Sequence, residues 1–263
     1  MELNGAAAII TGGASGIGRA TVEHFAASGA KVLVVDLDTT GAQVVADSVG
    51  GIAMGADVSD PAATDAAFTK CQDAFGKVDI AFLNAGIAIG VSDLEQLSND
   101  DYRRIMGVNV DAVVFGLRAA LRTMTDGGAI VATASLAGLI PFPPDPIYDL
   151  TKHAVVGLMR SVAPTLEARG ITANCINPGM TNTNILSPEA KQMLADAEFP
   201  IMEPQQIAEA VVHAVVGGET GQCYVCQPGI APVAYQFRDV PGPRTKAGRG
   251  QRPPGLGLKQ NNQ

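Results

Sequence analysis

Short apolar runs rich in β-branched residues alternate along the chain with longer stretches of helical periodicity, and this alternation restricts the fold most. Seven runs are typical of buried strands: AAAII, KVLVVD, GIAMGAD, VDIAFLN, GAIVATAS, ITANCIN and QCYVCQ. Helices are predicted between them at about 16–29, 40–49, 60–76, 99–124, 147–168 and 204–217. Strand–helix–strand repeats pair their strands in parallel through right-handed crossovers. We therefore predict a single-domain α/β fold, a seven-stranded parallel doubly wound sheet with helices on both faces.

Charge and apolar content restrict the possible partners. The 263 residues carry a net charge of −8, which disfavours nucleic acid or an anionic membrane as a general partner. The start, MELNGAAAII, lacks a signal peptide, and no stretch reaches the ~18 apolar residues of a membrane span. Four irregularly spaced cysteines do not form a disulfide framework, and CYVC has no second pair to complete a zinc site. We expect a cytoplasmic protein with free thiols and no metal.

Two segments depart from the alternation. Residues 180–203 are an insertion that mixes apolar side chains with turn signals, as in a lid over a ligand, and we include them in a domain of residues 1–243. Residues 244–263 are rich in Gly and Pro and carry five basic residues but no acidic ones. This composition is typical of disorder, and the alternative is a tail that binds the acidic surface of a partner subunit.

The turn after the first strand has the spacing of a dinucleotide site. In IITGGASGIGRA, Gly12, Gly16 and Gly18 form a TGxxxGxG pattern between a strand and a helix. Such a turn bends sharply and brings the backbone close to a pyrophosphate, where the free N–H groups of the helix favour an anion. The position of this pattern at the first strand–helix turn makes it a strong indication of a nicotinamide cofactor.

Three further strand ends carry polar or small residues that suit this cofactor. Asp36 ends the second strand, where a carboxylate accepts bonds from the adenosine ribose and repels a 2′-phosphate, so NAD is predicted rather than NADP. Asp57 follows the third strand and either reaches the adenine or caps a turn. Asn84–Gly86, NAG, ends the fourth strand, where a backbone can pass beside the cofactor or make a plain turn.

The stretch YDLTK raises the question of a base. Tyr148 and Lys152 share a helical face, so the ammonium lies near the phenol unless the two are an idle surface pair or packing residues. A nearby cation lowers the pKa of a phenol, which then accepts the proton of an alcohol. Ser135 ends the fifth strand and can hold the substrate oxygen, and Asn109 can hold a water that links Lys152 to solvent.

These motifs occur in order over about residues 5–227 and resemble the short-chain dehydrogenase/reductase family. The resemblance implies a Rossmann sheet, Tyr148 as general base or acid, Ser135 at the reacting oxygen, Lys152 on the nicotinamide ribose and Asn109 in a proton relay. It also implies that Thr183 holds the carboxamide. Leu83 stands where the family usually has Asn. The predicted catalytic residues are Ser135, Tyr148, Lys152 and Asn109, and the predicted NAD-binding residues are Gly12, Ser15, Gly16, Ile17, Gly18, Asp36, Asp57, Val58, Asn84, Ala85, Gly86, Tyr148, Lys152, Pro178, Gly179, Thr181 and Thr183.

Within the family, residues 135–161 are most similar to NAD-dependent 15-hydroxyprostaglandin dehydrogenases. Those enzymes carry a substrate-contacting Gln three residues before the tyrosine, where this chain has Asp145. The substrate-pocket candidates are Asp145, Phe142, Met180 and Ile185, of which the apolar three could equally be core. The resemblance implies a homodimer or homotetramer that oxidises an apolar secondary alcohol. A ketoacyl-type reductase and a non-catalytic NAD sensor are the alternatives.

Overall fold

The computed structural model describes residues 1–125 and 127–238 and contains a single sheet. Its strands are β1 Ala7–Thr11, β2 Lys31–Asp36, β3 Ile52–Gly55, β4 Ile80–Leu83, β5 Gly128–Thr133, β6 Ile171–Pro178, β7 Cys223–Cys226 and β8 Val233–Ala234. Their order is β3-β2-β1-β4-β5-β6-β7-β8. β1 to β7 are parallel and correspond to the seven predicted strands.

The predicted count of seven strands needs one correction. β8 pairs antiparallel with Tyr224 and Val225 and covers the free edge of β7. A two-residue strand has no periodicity of its own, and it exists only because the neighbouring edge offers unpaired backbone groups.

The helices lie between the strands, as predicted, with two differences. Their bounds are α1 Gly16–Ala27, α2 Thr39–Val49, α3 Pro61–Phe75, α4 Asn99–Met106, α5 Ala112–Thr123, α6 Pro146–Leu166, α7 Pro188–Asp196 and α8 Pro204–Val216. The single helix predicted at 99–124 is divided into α4 and α5 by a π-helical turn, Gly107–Asp111. α7 was not predicted and lies inside the insertion at 180–203, with Met193 65% exposed.

Both faces of the sheet are covered because successive side chains of a strand point to opposite sides. In β2, Leu33 and Val35 belong to the core cluster that includes residues of α3, α5 and α6, whereas Val32 and Val34 belong to the cluster that includes residues of α1, α2 and α8. This arrangement buries near-continuous apolar strands, as expected of a parallel sheet.

The cysteines of CYVC lie on opposite faces of β7. Cys223 belongs to one core cluster and Cys226 to the other, so the two thiols cannot bind one ion together. Cys223 instead neighbours Cys175, with their sulfur atoms 3.2 Å apart. Among the described residues we find no group of three or more side chains that could hold a metal ion.

The predicted domain boundary at 243 and the basic tail 244–263 lie outside the described residues. Within the described ranges, none of the helices is long and apolar enough to cross a membrane. The sheet order reverses direction between β1 and β4, and the carboxyl ends of the strands meet there. In doubly wound sheets this is the place where ligands bind.

Candidate active site

The turn between β1 and α1 leaves no room for a side chain at Gly12 or at Gly18. Gly12 has φ +66°, and a Cβ on it would lie 2.9 Å from Ala85 Cα. A Cβ on Gly18 would lie only 2.0 Å from the carbonyl oxygen of Gly12. Ser15 is the exposed N-cap of α1, and its hydroxyl makes no capping hydrogen bond. The turn therefore offers a tight backbone cradle, with free donors at a helix N-terminus, that fits a pyrophosphate.

Asp36 stands beside this cradle at the end of β2. Its Oδ2 accepts from the Ala14 N–H at 2.9 Å and its Oδ1 from the Asp38 N–H at 3.0 Å. The side chain is half-buried, and each oxygen keeps acceptor capacity for one further donor. The next residue, Leu37, is 75% exposed and apolar, so it brings no positive charge to a 2′-phosphate. Such a carboxylate suits two ribose hydroxyls.

Asp57 forms a local turn in the structure. Its Oδ1 accepts from the Ser59 N–H at 2.9 Å and from the Ser59 hydroxyl at 2.7 Å. Of the two predicted roles, these bonds support turn capping, and the adenine contact stays a prediction. Val58 is buried, and it packs into the core cluster on the α3 side of the sheet.

Asn84 ties together the carboxyl ends of three strands. Its Nδ2 donates to the carbonyls of Thr11, at 3.1 Å, and Gly12, at 3.3 Å, and its Oδ1 accepts from the Thr133 hydroxyl at 3.0 Å. The N–H groups of Asn84 and Ala85 also donate to the Thr11 hydroxyl. Asn84 thereby fixes the glycine turn against the loop that follows β4.

The predicted catalytic side chains come together at the end of β5. Lys152 is 2% exposed, and its Nζ donates to the Thr133 carbonyl at 2.8 Å and lies 5.4 Å from the centre of the Tyr148 ring. The Ser135 hydroxyl lies close enough to the Tyr148 phenol to lower the pKa of that phenol. The Ser135 hydroxyl also accepts from the Ala137 N–H at 3.1 Å. Phenol, hydroxyl and ammonium therefore share one edge of the cleft.

The pKa of Tyr148 differs from the prediction. Burial raises it to about 12, while the hydrogen bond to Ser135 lowers it and the Asp145 carboxylate raises it further. Burial also lowers the pKa of Lys152 to about 8. The lysine was expected to depress the pKa of the phenol, but its own charge is disfavoured by burial and Nζ is directed at the Thr133 carbonyl. A cation bound beside the phenol would act against this upward shift.

Asn109 lies in the π-helical turn and is 1% exposed. Its Oδ1 accepts from the Ile87 N–H at 2.8 Å, and its Nδ2 donates to the Ile87 carbonyl at 2.9 Å and to the Thr151 hydroxyl at 3.0 Å. The side chain therefore holds the loop after β4 against α6. A relay water at Asn109 stays a prediction, and it would have to use the acceptor capacity that remains.

Asp145 does not face the cleft as a substrate contact would. It is 2% exposed, and its Oδ1 accepts from the Tyr148 N–H at 2.9 Å as the N-cap of α6. Its Oδ2 accepts from the N–H groups of Ile89, at 2.9 Å, and Gly90, at 2.7 Å. This structure does not support the predicted substrate contact, because Asp145 is buried and backbone amides engage both of its oxygens.

Of the apolar pocket candidates, Phe142 contacts a catalytic residue. The ring of Phe142 packs edge-on against Tyr148, with centroids 6.2 Å apart. Met180 is half-buried and pairs through its carbonyl with the Met202 N–H, whereas Ile185 is 44% exposed. These three side chains stay predicted pocket residues.

The Pro178–Thr183 segment runs from the end of β6 toward the glycine turn. The Gly179 N–H donates to the Cys226 carbonyl at 3.0 Å, and the Thr181 hydroxyl donates to the Gly179 carbonyl at 3.0 Å. A Cβ on Gly16 would lie 3.2 Å from Thr183 Cγ2. Thr183 therefore faces the N-terminus of α1, as its predicted contact with the cofactor requires.

Three threonines that the sequence analysis missed position the predicted residues. Thr11 and Thr133 hold Asn84, and the Thr133 carbonyl also holds Lys152. The Thr151 hydroxyl accepts from Asn109 and donates to the Tyr148 carbonyl at 2.7 Å. Their signal was a hydroxyl at an otherwise apolar strand end or inside YDLTK, which is too common to identify a role.

A family model described as short chain dehydrogenase matches residues 6–194. A 3beta-hydroxysteroid dehydrogenase of Mediterraneibacter gnavus is 35% identical over 221 residues, covering 81% of this chain and 79% of the relative. A cyclohexanol dehydrogenase of an Acinetobacter species is 34% identical over 219 residues, covering 80% and 87%.

Solved structures of short-chain dehydrogenases and reductases are also similar to this chain. A 3-ketoacyl-(acyl-carrier-protein) reductase from Brucella melitensis, complexed with NADH, has a TM-score of 0.82 at 31% identity, covering 87% of this chain and 99% of that one. A short chain dehydrogenase from Burkholderia cenocepacia, in complex with NADP, has a TM-score of 0.80 at 31% identity, with the same coverage. Together with the glycine turn and the Ser135, Tyr148 and Lys152 cluster, these similarities show that the chain belongs to the short-chain dehydrogenase family.

Proposed function

We propose that this chain is an NAD-dependent oxidoreductase that interconverts a secondary alcohol and a ketone. The proposal depends on one observation above all: the Tyr148 phenol, the Ser135 hydroxyl and the Lys152 ammonium converge at the end of β5. This edge of the sheet also carries the glycine turn. An acid–base group beside a dinucleotide cradle is the equipment that alcohol oxidation needs.

The choice of NAD over NADP is supported by Asp36 and Leu37. The Asp36 carboxylate has acceptor capacity for ribose hydroxyls, and a 2′-phosphate beside it would meet like charge. NAD⁺ would be held by the Gly12–Gly18 turn, Asp36, Lys152 and Thr183, and when bound it supplies the acceptor for the hydrogen that leaves the alcohol carbon. The related structures include a complex with NADP and a complex with NADH, so kcat/KM measured with both cofactors tests this choice.

The protein's own part in the reaction is the handling of a proton. Ser135 donates a hydrogen bond to the substrate oxygen and orients it toward the phenol. Tyr148 takes the proton of the alcohol in oxidation and returns it in reduction. Lys152 stabilises the negative charge of the phenolate, which is the form of Tyr148 before it takes the proton in oxidation and after it gives the proton up in reduction. Asn109 and Thr151 hold the helix turn that aligns them. The alignment matters because proton transfer requires hydrogen-bond distance.

We propose an apolar alcohol, of lipid, steroid or terpenoid type, as the substrate. The relatives named for a 3beta-hydroxysteroid and for cyclohexanol support this class, as does the apolar ring of Phe142 beside Tyr148. Asp145 does not support the narrower resemblance to 15-hydroxyprostaglandin dehydrogenases, because its two oxygens accept hydrogen bonds from backbone amides. We also propose a cytoplasmic homodimer or homotetramer.

Reduction of a ketoacyl group is a second candidate, because the Brucella melitensis reductase shares the fold at a TM-score of 0.82. The two candidates differ in the length and polarity of the substrate rather than in the chemistry at Tyr148. Oxidation of a panel of secondary alcohols with NAD⁺ and with NADP⁺, followed by absorbance of the reduced nicotinamide, separates them. We expect turnover of cyclic or steroid alcohols with NAD⁺. Turnover of ketoacyl thioesters alone, or with NADPH alone, would contradict the first proposal.

A further inference from the structure

The loop between β4 and α4 is tied to the catalytic helix by two buried side chains. Its residues 84–93 have no regular structure, and Gly86 packs so closely that a Cβ on it would lie 3.3 Å from Lys152 Nζ. Asn109 bonds both backbone groups of Ile87 and reaches α6 through Thr151. This first tie belongs to the catalytic set already described.

The second tie is Asp145. One carboxylate oxygen caps α6 at the Tyr148 N–H, and the other accepts from two successive amides of the loop, Ile89 and Gly90. Asp145 thus accepts two charge-assisted bonds from the loop and one from the backbone of Tyr148, all of 2.7–2.9 Å, and so connects the loop to the residue that carries the acid–base phenol. Asp145 is 2% exposed, so water does not compete for these bonds.

A helix cap alone does not need this arrangement. Asp60 also precedes a proline at the start of a helix, and its carboxylate caps α3 at the Ala62 N–H at 2.9 Å. Asp60 is exposed and bonds only its own helix, whereas Asp145 is buried and spans two segments. The additional bonds of Asp145 therefore point to a task beyond capping.

We propose that Asp145 is a positioning residue that fixes the Ile87–Gly90 loop against the N-terminus of the catalytic helix and so sets the shape of the substrate cleft beside Tyr148. The loop presents the half-buried side chains of Ile87 and Ile89, which suit an apolar alcohol. The effect of Asp145 on the substrate rests on the proposed alcohol dehydrogenase function, but the effect of Asp145 on the loop does not.

The charge of Asp145 has a second consequence for the phenol. The groups that face Tyr148 are Lys152 on its own helix, Ser135 from the end of β5 and Asp145 at the N-cap. On α6, Asp149 directly follows Tyr148 and His153 directly follows Lys152, and these two side chains pair with each other, with His153 Nδ1 3.2 Å from Asp149 Oδ2. The carboxylate of Asp145 raises the pKa of Tyr148, so its removal moves the alkaline rise of alcohol oxidation to lower pH.

The test compares Asp145→Ser with the matched variant Asp60→Ser. Serine is also a good N-cap, so both variants keep a capped helix, but the serine at 145 is too short to hold the loop. In Asp145→Ser we expect amide hydrogen exchange at Ile89 and Gly90 to accelerate at least about tenfold, as the loss of bonds to a charged acceptor implies. The KM for the alcohol rises about tenfold for the same reason, and kcat falls less than about threefold.

The pH profile and the cofactor complete the test. In Asp145→Ser the alkaline rise moves to lower pH and NADH affinity stays within about twofold, because the glycine turn is untouched. Asp60→Ser changes none of these quantities. Asp145→Asn, which keeps the size of the side chain, must reproduce the KM and pH shifts if the serine variant folds poorly.

Unchanged amide exchange at Ile89 and Gly90 in Asp145→Ser overturns the proposal that Asp145 fixes the loop. Faster exchange with an unchanged KM and pH profile overturns its role at the substrate cleft. A wild-type protein that oxidises no alcohol refutes the proposed function instead. The comparison of exchange rates then tests by itself whether Asp145 fixes the loop.

Discussion

Replacing Gly18 with alanine places a methyl group inside the turn that we propose holds the pyrophosphate. The new Cβ would lie 2.0 Å from the Gly12 carbonyl oxygen and 2.8 Å from Asn84 Nδ2. Real Cβ atoms essentially never come closer than 3.0 Å to such neighbours, so the turn has to open by about 1 Å. The Gly12 oxygen belongs to the backbone, and Asn84 Nδ2 is hydrogen-bonded to the carbonyls of Thr11 and Gly12, so neither atom can rotate away.

The expected losses follow from this displacement. Overpacking of this kind typically costs about 1–3 kcal/mol of unfolding free energy. At about 2–4 °C per kcal/mol for a chain of this size, Tm falls by several degrees. A shift of about 1 Å in a ligand site can weaken function about 100-fold, so the Kd for NADH should rise by about that factor. Scanning calorimetry and NADH fluorescence titration measure the two quantities.

Gly157 provides the matched control, since it is also a helical glycine but lies exposed on α6 with no atom within 4 Å of an added Cβ. Alanine there should raise the unfolding free energy by about 0.5–1 kcal/mol through helix propensity and leave NADH affinity unchanged. If Gly18→Ala bound NADH within about twofold of wild type, the cradle would not be the pyrophosphate site.

Three other predictions test the cofactor preference, the acid–base group and the buried lysine. Asp36→Ala should raise the KM for NAD⁺ at least about tenfold by removing charged acceptors from the ribose, and should improve the relative use of NADP⁺; an unchanged preference measured by kcat/KM with both cofactors would refute the ribose contact. Alcohol oxidation should rise with pH through the alkaline range, because the deprotonated phenol is the base and burial raises the pKa of Tyr148 to about 12, whereas ketone reduction should fall. For Lys152, burial lowers the pKa from 10.5 to about 8, so this side chain binds more protons in the unfolded chain between these values, and its contribution to the unfolding free energy rises with pH there. Lys152→Met should flatten that rise in denaturant titrations, and an identical slope in both proteins would contradict the burial of a charged Nζ.

The sequence predicts the parts of this fold that local patterns specify. Apolar runs bounded by glycine locate β1 to β7, because a short, near-continuous apolar run is typical of a strand that is buried on both faces. The glycine turn is equally legible, since Gly12 and Gly18 occupy places where a Cβ would collide with backbone. Ser135, Tyr148 and Lys152 follow from the strand end and from helical spacing.

Features that depend on distant partners were not predictable. β8 exists only beside the open edge of β7, and the π-helical turn around Asn109 has no signature of its own. Asp145 was assigned to the substrate, although its two oxygens are bound by α6 and by a loop 55 residues earlier in the chain. The pKa of Tyr148 depends on burial, which a spacing of four residues does not reveal.

The central claim is that the Tyr148 phenol transfers the proton, and Tyr148→Phe tests it most directly. Phenylalanine keeps the ring that packs against Phe142 and removes only the hydroxyl beside Ser135. We predict that NADH binds with unchanged affinity while kcat for alcohol oxidation falls by about 10²–10⁴, the usual contribution of a general base. A variant that oxidises alcohols within a few-fold of the wild-type rate would contradict the account.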